Sequence, residues 1–279
     1  MSEEYEPLSV DERLKLAADL LLEAPPGEID DVIADISNLV DNDELLEPKI
    51  MESLRVYNSQ NFIEIELPDI EHKVLITSFN QLETDVFYDP RSKNKFKYNC
   101  ISQKIEEMEA FEADEENEPL RLSIQAALDA HTAKHYPEGV CSVFATETGF
   151  AMIVIGSKLN KKNFWNGRLK SCWVYNSSSG ELVGNIHSRV HYYEDGNVQL
   201  NSSREYKETL EGRDSADIAS VVVSKIGRIE QEYQSALNEG YSHLNNTAFK
   251  GLRRTLPVTR SKIDWNQIMS YKLGSEIHK

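Results

Sequence analysis

The chain has 279 residues, is 40% hydrophobic with three Trp, twelve Tyr and nine Phe, and carries a net charge of −17. That composition supports a substantial core in one large domain or two small ones and excludes whole-chain disorder. An acidic surface repels phosphate backbones and anionic lipid, so nucleic-acid binding by the body of the protein is disfavoured.

The opening stretch MSEEYEPL is acidic and lacks an apolar run, which argues against a signal peptide. Ser9-Val10-Asp11-Glu12 reads as a capping box, and Leu14, Ala17, Ala18 and Leu21 follow at helical spacing. Pro25-Pro26-Gly27 ends that helix, and a second begins near Glu28 with Ile29, Val32, Ile33, Ile36, Leu39 and Val40 as its stripe. A third segment carries Leu46, Ile50, Leu54 and Tyr57. Residues 1–60 are therefore expected as an N-terminal helical stalk whose wide apolar faces need a partner.

From Phe62 the period changes to two, and Ile63, Ile65 and Leu67 alternate with Glu64 and Glu66. Residues 61–104 are expected as a β segment, with further strands at Lys73–Thr77 and Val86–Tyr88 and a turn at Asp89-Pro90-Arg91 leading to Phe96 and Tyr98. Residues 105–118 hold eight acids and no basic residue, which predicts an acidic loop, either a solvated linker or a partner-binding strip.

Pro119 opens a helix through Ile124, Leu128 and His131. Strands are predicted at Val140–Ala145, Gly149–Gly156, Phe164–Tyr175, Glu181–Tyr192 and Asn197–Ser202, with a hairpin turn at Asp195-Gly196. Ile186, Val190 and Tyr192 share one face, opposite His187, Arg189 and His191. Connections this short make successive strands antiparallel, so 119–204 reads as a helix plus a five-stranded meander. The segment 205–248 is expected as a long helix that begins after Asp214-Ser215, with Ile218, Val221, Val222, Ile229, Tyr233, Leu237 and Tyr241 in its stripe. At 1.5 Å per residue it would run about 40 Å and cross the whole sheet.

Residues 249–279 are expected as a basic hinge, broken by Pro257, and a C-terminal amphipathic helix with Trp265, Ile268, Met269, Leu273 and Ile277 along one side. Residues 250–279 hold seven basic residues against two acidic ones, a charge of +5 that leaves −22 on residues 1–249. Such a tail can neutralise its own body or act outward, and the ridge can dock on its own core, enter a partner's groove or lie on anionic lipid. The pattern alone leaves these readings open.

Catalytic signatures are missing: no phosphate loop, no G-x-G-x-x-G and no G-x-S-x-G occurs. His131 and His135 have helical i, i+4 spacing but no third ligand nearby in sequence, and His187 and His191 are poorly spaced on a strand to chelate one ion. Neither metal nor cofactor is expected. Cys100, Cys141 and Cys172 are few and widely spaced, which predicts buried, reduced thiols in a reducing compartment. No apolar run is long enough to span a bilayer.

Four stretches carry a family resemblance. They are Ala24-Pro25-Pro26-Gly27-Glu28; Asn163-Phe164-Trp165-Asn166-Gly167-Arg168; His191-Tyr192-Tyr193-Glu194-Asp195-Gly196-Asn197-Val198-Gln199-Leu200; and Leu252-Arg253-Arg254 with Leu256-Pro257-Val258-Thr259-Arg260 and Lys262-Ile263-Asp264-Trp265. The chain resembles the alpha subunits of F-actin capping protein over nearly its full length. The match fades at 1–8, 105–118 and 145–160, and Gly251 stands where the family commonly has alanine.

The resemblance implies an α+β fold: a helical stalk, an antiparallel meander sheet crossed by a long helix, and a mobile C-terminal tentacle. It implies an obligate heterodimer with a beta subunit, the two sharing one continuous sheet. It also implies a calcium-independent steric block of the filament barbed end, without catalysis, in the cytoplasmic and cortical actin cytoskeleton. Actin contacts would fall on Lys250, Arg253, Arg254, Arg260, Lys262 and the Trp265, Ile268, Met269, Leu273, Ile277 ridge. Lys250 and Arg254 would also mediate inhibition by phosphoinositides, and regulatory proteins would dock on the stalk. A membrane-surface or phosphoinositide module is the competing class, and an enzyme is a third.

Overall fold

A computed structural model describes residues 8–39, 43–111, 117–194, 197–210 and 215–246. The chain divides into two compact units, Met1–Gly227 and Arg228–Lys279. Three helices open the first unit: α1 (Val10–Glu23), α2 (Ile29–Leu39) and α3 (Asp43–Asn61). The predicted capping box is present: Ser9 Oγ accepts from the Glu12 amide at 3.3 Å, and Glu12 Oε2 accepts from the Ser9 amide at 2.9 Å. Ala17 and Leu21 turn inward, as their spacing predicts, and join Ile36, Ile50 and Leu54 in one buried cluster.

Six short strands follow: β1 (Glu64–Glu66), β2 (Lys73–Leu75), β3 (Gln81–Glu83), β4 (Val86–Asp89), β5 (Asn94–Asn99) and β6 (Lys104–Ala110). β1 pairs with β2, while β3 to β6 form a four-stranded antiparallel sheet in sequence order. Val74, Phe87, Phe96 and Tyr98 from these strands complete the helical cluster. The expected acidic loop over 105–118 is corrected here, because its first part is strand β6. Lys95 and Lys97 on β5 pair with Glu109 and Glu106 at 3.0 and 3.1 Å, and these cross-strand pairs offset the repulsion that made the run read as a linker.

Helix α4 (Glu118–His135) leads into the predicted meander of β7 (Val140–Thr146), β8 (Gly149–Asn160), β9 (Trp165–Asn176), β10 (Glu181–Tyr192) and β11 (Val198–Thr209). All neighbours are antiparallel, in the order β11-β10-β9-β8-β7. β11 continues to Thr209, seven residues past the predicted Ser202 and into the start of the 205–248 segment, while the long helix itself, α5 (Ser215–Asn246), begins at the predicted Asp214-Ser215 boundary. The hairpin residues Asp195 and Gly196 lie outside the described residues.

The two edges of the five-stranded sheet differ. α4 covers β7, where the Val143 amide donates to Gln125 Oε1 at 2.9 Å. β11 is largely exposed, and among the described residues no strand pairs with its outer edge. One face of the sheet buries Met152, Trp173, Leu182 and Ile186. The other face buries Phe144, Ile153 and Ile155 against Phe62 and Leu75, so the sheet and the N-terminal region share a core.

Candidate functional site

Three of the resemblance stretches, far apart in sequence, meet on this second face. Gly27 adopts φ +77°, and an added Cβ there would come within 2.8 Å of the Leu159 side chain, so the Pro-Pro-Gly turn needs glycine on both counts. The turn delivers Glu28 to β9 and β10. Glu28 Oε1 accepts from Asn166 Nδ2 at 2.8 Å and contacts His191 Nδ1 at 2.7 Å. Asn166 and His191 are directly opposite in register, and both are buried. The other nitrogen of His191 lies 3.2 Å from Asn197 Oδ1, and its ring stacks on Tyr193 with centroids 4.9 Å apart. Asn166 Oδ1 accepts the Asn160 amide at 3.1 Å, so its carbonyl is satisfied as well.

One rung along, Arg168 is opposite Arg189. Arg168 Nη2 donates to the Phe62 carbonyl, and Arg189 Nη2 to the Glu23 carbonyl, both at 2.8 Å. Glu23 is the last residue of α1, and Phe62 directly follows α3. Helix C-termini leave carbonyls unpaired and carry the negative end of the dipole. Neither helix has a basic residue in its last turn, so the sheet supplies the cations. Glu64 Oε1 lies 3.7 Å from Arg168. Burial is the main influence on Arg168 and lowers its pKa. This arrangement positions the N-terminal helices on the sheet.

The residues expected to touch actin and phosphoinositide all lie outside the described residues: Lys250, Arg253, Arg254, Arg260, Lys262, Trp265, Ile268, Met269, Leu273 and Ile277. Glu28, Asn166, Arg168, His191 and Asn197 were visible as signature residues but not as one site. The available signal was polarity at strand positions whose face is otherwise buried.

Other chemistry-bearing groups have local roles. The rings of His131 and His135 lie 4.7 Å apart on α4. No group of three or more metal-ligating side chains occurs among the described residues. A groove of about 760 Å³ is lined by His72, Arg91, Asp129 and Cys141. In it Cys141 Sγ donates to Asp129 Oδ1 at 3.1 Å, while His72 is bonded to Asp89 at 2.8 Å. Burial pushes the Cys141 thiol up to about 12, so it is not a thiolate at neutral pH. Cys100 is buried and Cys172 partly so, and all three cysteines are free.

The described elements define a mixed helix-and-sheet protein built on antiparallel sheets, with N-terminal helices pinned to a five-stranded meander. Residues 17–276 match the family model of the F-actin capping protein alpha subunit, and the chain belongs to that family. The F-actin-capping protein subunit alpha of Caenorhabditis elegans is 37% identical over 276 residues, covering 95% of this chain and 97% of the relative. That of Dictyostelium discoideum is 30% identical, covering 96% and 98%. The homodimeric actin capping protein alpha subunit from Plasmodium berghei has the same fold, with a TM-score of 0.69 at 18% identity over 82% of this chain and 92% of that one.

Proposed function

We infer that this chain is the alpha subunit of a heterodimeric cap that blocks the barbed end of actin filaments sterically, without calcium and without catalysis. Its membership in the family, over a match that includes the basic C-terminal segment, carries the reading. The outer edge of β11 supports it, because among the described residues no strand pairs with that twelve-residue edge, and such an edge invites a partner strand. On this reading a beta subunit continues the sheet there, through an interface above roughly 2,000 Å² as in obligate dimers. The N-terminal helices form the stalk, which is open to regulatory proteins, and α5 crosses the sheet.

Lys250, Arg253, Arg254, Arg260 and Lys262 then meet acidic actin surfaces, which raises the encounter rate. The Trp265–Ile277 ridge slows dissociation as a mobile arm. Lys250 and Arg254 double as the phosphoinositide contact, and the protein works in the cytoplasm on cortical actin. Elongation of filaments from barbed ends, with this chain co-expressed with a beta subunit, tests the reading. Arrest of growth and of shortening at substoichiometric protein is expected. Unimpeded elongation by a folded heterodimer overturns it.

A further inference from the structure

A groove of about 900 Å³ opens beside β1, apart from the one at Cys141. Five consecutive residues, Ile63 to Leu67, line one of its walls. Side chains on a strand alternate between faces, so a wall that includes every residue in turn is the backbone edge of the strand. The register shows what that edge offers. The Ile76 amide donates to the Ile63 carbonyl at 2.9 Å, which makes Ile63 and Ile76 a hydrogen-bonded pair. Such pairs alternate in an antiparallel ladder, so Ile65 and Val74 form the next one, and Glu64 and Glu66 turn their amides and carbonyls away from β2. The same alternation turns Leu75 outward on the far side of β2, where its carbonyl accepts from Asn80 Nδ2 at 2.9 Å. Among the described residues no strand pairs with the outer edge of β1, so the backbone groups of Glu64 and Glu66 face the groove. Gln103, Lys104 and Ile105, at the start of β6, line it as well, and the buried Leu54, Tyr98 and Cys100 form its floor.

We propose that this groove is a peptide site, in which an extended segment of a partner protein adds to β1 as a third strand. An edge with donors and acceptors at strand spacing is satisfied by a peptide backbone, whereas an apolar small molecule leaves it unpaired. Antiparallel addition gives two main-chain bonds with Glu64 and two with Glu66. The two faces of β1 dictate the side chains of the incoming strand. Positions opposite Ile63, Ile65 and Leu67 lie on the face that packs into the core, and they take apolar residues. Positions opposite Glu64 and Glu66 share the face of Lys73. The Glu64 carboxylate is already shared by Lys73 at 3.6 Å and Arg168 at 3.7 Å. Glu66 is exposed and has no ion-pair partner among the described residues, so a Lys or Arg belongs opposite it. The segment that fits is therefore five residues long, alternates apolar and polar, and carries its base opposite Glu66. The edge is recessed between the groove walls, so it admits a single chain and not the rim of another sheet. This site requires neither actin nor the outer edge of β11.

The peptide Val-Lys-Val-Thr-Val, labelled with a fluorophore at its N-terminus and amidated at its C-terminus, tests this on the full-length chain in the assembly in which it is isolated. Fluorescence anisotropy should show saturable binding. Methylating the backbone nitrogens of its Lys and Thr removes the donors aimed at β1 and should abolish that binding. Hydrogen exchange should slow at the amides of Glu64 and Glu66 when the peptide binds, and stay unchanged along β11. Glu66→Lys should weaken binding several-fold, and Val-Glu-Val-Thr-Val should bind that variant better than it binds the wild type. Because Glu66 is exposed, the variant is expected to melt with the wild type, and the methylated peptide and the exchange measurement decide the matter without it. Absence of saturable binding, equal binding of the methylated peptide, slowed exchange at β11 in place of Glu64 and Glu66, or a folded Glu66→Lys variant that binds both peptides as the wild type does would each overturn the proposal.

Discussion

Asp89 is a buried carboxylate that nevertheless stays ionised. It accepts from His72 Nε2 at 2.8 Å and from the Ser92 amide at 3.0 Å. Burial alone would raise its pKa, but these bonds outweigh burial and hold it below the ordinary 3.8. The folded chain therefore gives up this proton more readily than the unfolded one. Asp89 contributes stability above pH 3.8, and that contribution is lost as pH falls through 3.8 towards the folded value. Asp89→Asn should cost about 1–3 kcal/mol at neutral pH and show a shallower loss in acid, measured by urea unfolding at both pH values. An equally steep loss would count against the linkage. Glu28 and His191 should be coupled: a double-mutant cycle to alanine is expected to show an interaction of about 0.5–3 kcal/mol, read from melts, whereas strict additivity would rule out a shared network. Period two put His187 and His191 on one strand face in the sequence. Their partners, Asn201 and Glu28, arrive from other elements, and no local pattern announces them.

At the scale of elements, β10 was legible to the residue, because turn-forming residues bound it in the sequence, Ser177–Gly180 before it and Glu194–Asn197 after it. β11 was legible only to Ser202, since Ser203–Thr209 is polar and charged with no buried alternation to read. As an edge strand it is held by its ladder to β10, and Lys225 of α5 pairs with Glu208 at 2.8 Å. β6 was missed for the same reason. The close approach of β9 and β10 can be tested at Gly184, where an added Cβ would lie 2.4 Å from both the Trp173 ring and the Cys172 carbonyl. Trp173 is fully buried, with Nε1 donating to Ser171 Oγ at 2.6 Å, so it has no room to retreat. Gly184→Ala should cost about 1–3 kcal/mol through overpacking, seen as a lower melting temperature. A variant that melts with the wild type would show that the strands can part.

For the whole molecule, the governing feature is the split of charge between a −22 body and a +5 C-terminal segment. Under the capping reading, removing charge at Lys250, Arg254 and Arg260 together should slow association with barbed ends and flatten its salt dependence. If those residues only neutralise the body, kinetics should be unchanged and stability should fall. A chain ending at Leu256 should still assemble with a beta subunit and melt near the full-length temperature. It should dissociate from barbed ends faster by orders of magnitude, because buried Trp and Arg anchors are worth about 2 kcal/mol or more each. A lower melting temperature with an unchanged off-rate would instead make the ridge part of the chain's own core.

By itself the sequence determined the helix stripes, the capping box, the order of the meander and the charge split, and its signature stretches led to the family. Each of these is either a local period, set by 3.6 or two residues per repeat, or a count. Tertiary structure alone decided that Glu28 meets His191 across 163 positions, that sheet cations cap α1 and α3, and that α4 covers β7 while no strand among the described residues pairs with the outer edge of β11. The reason is physical: a period says which face a side chain occupies, but only the packing of distant elements says what that face meets.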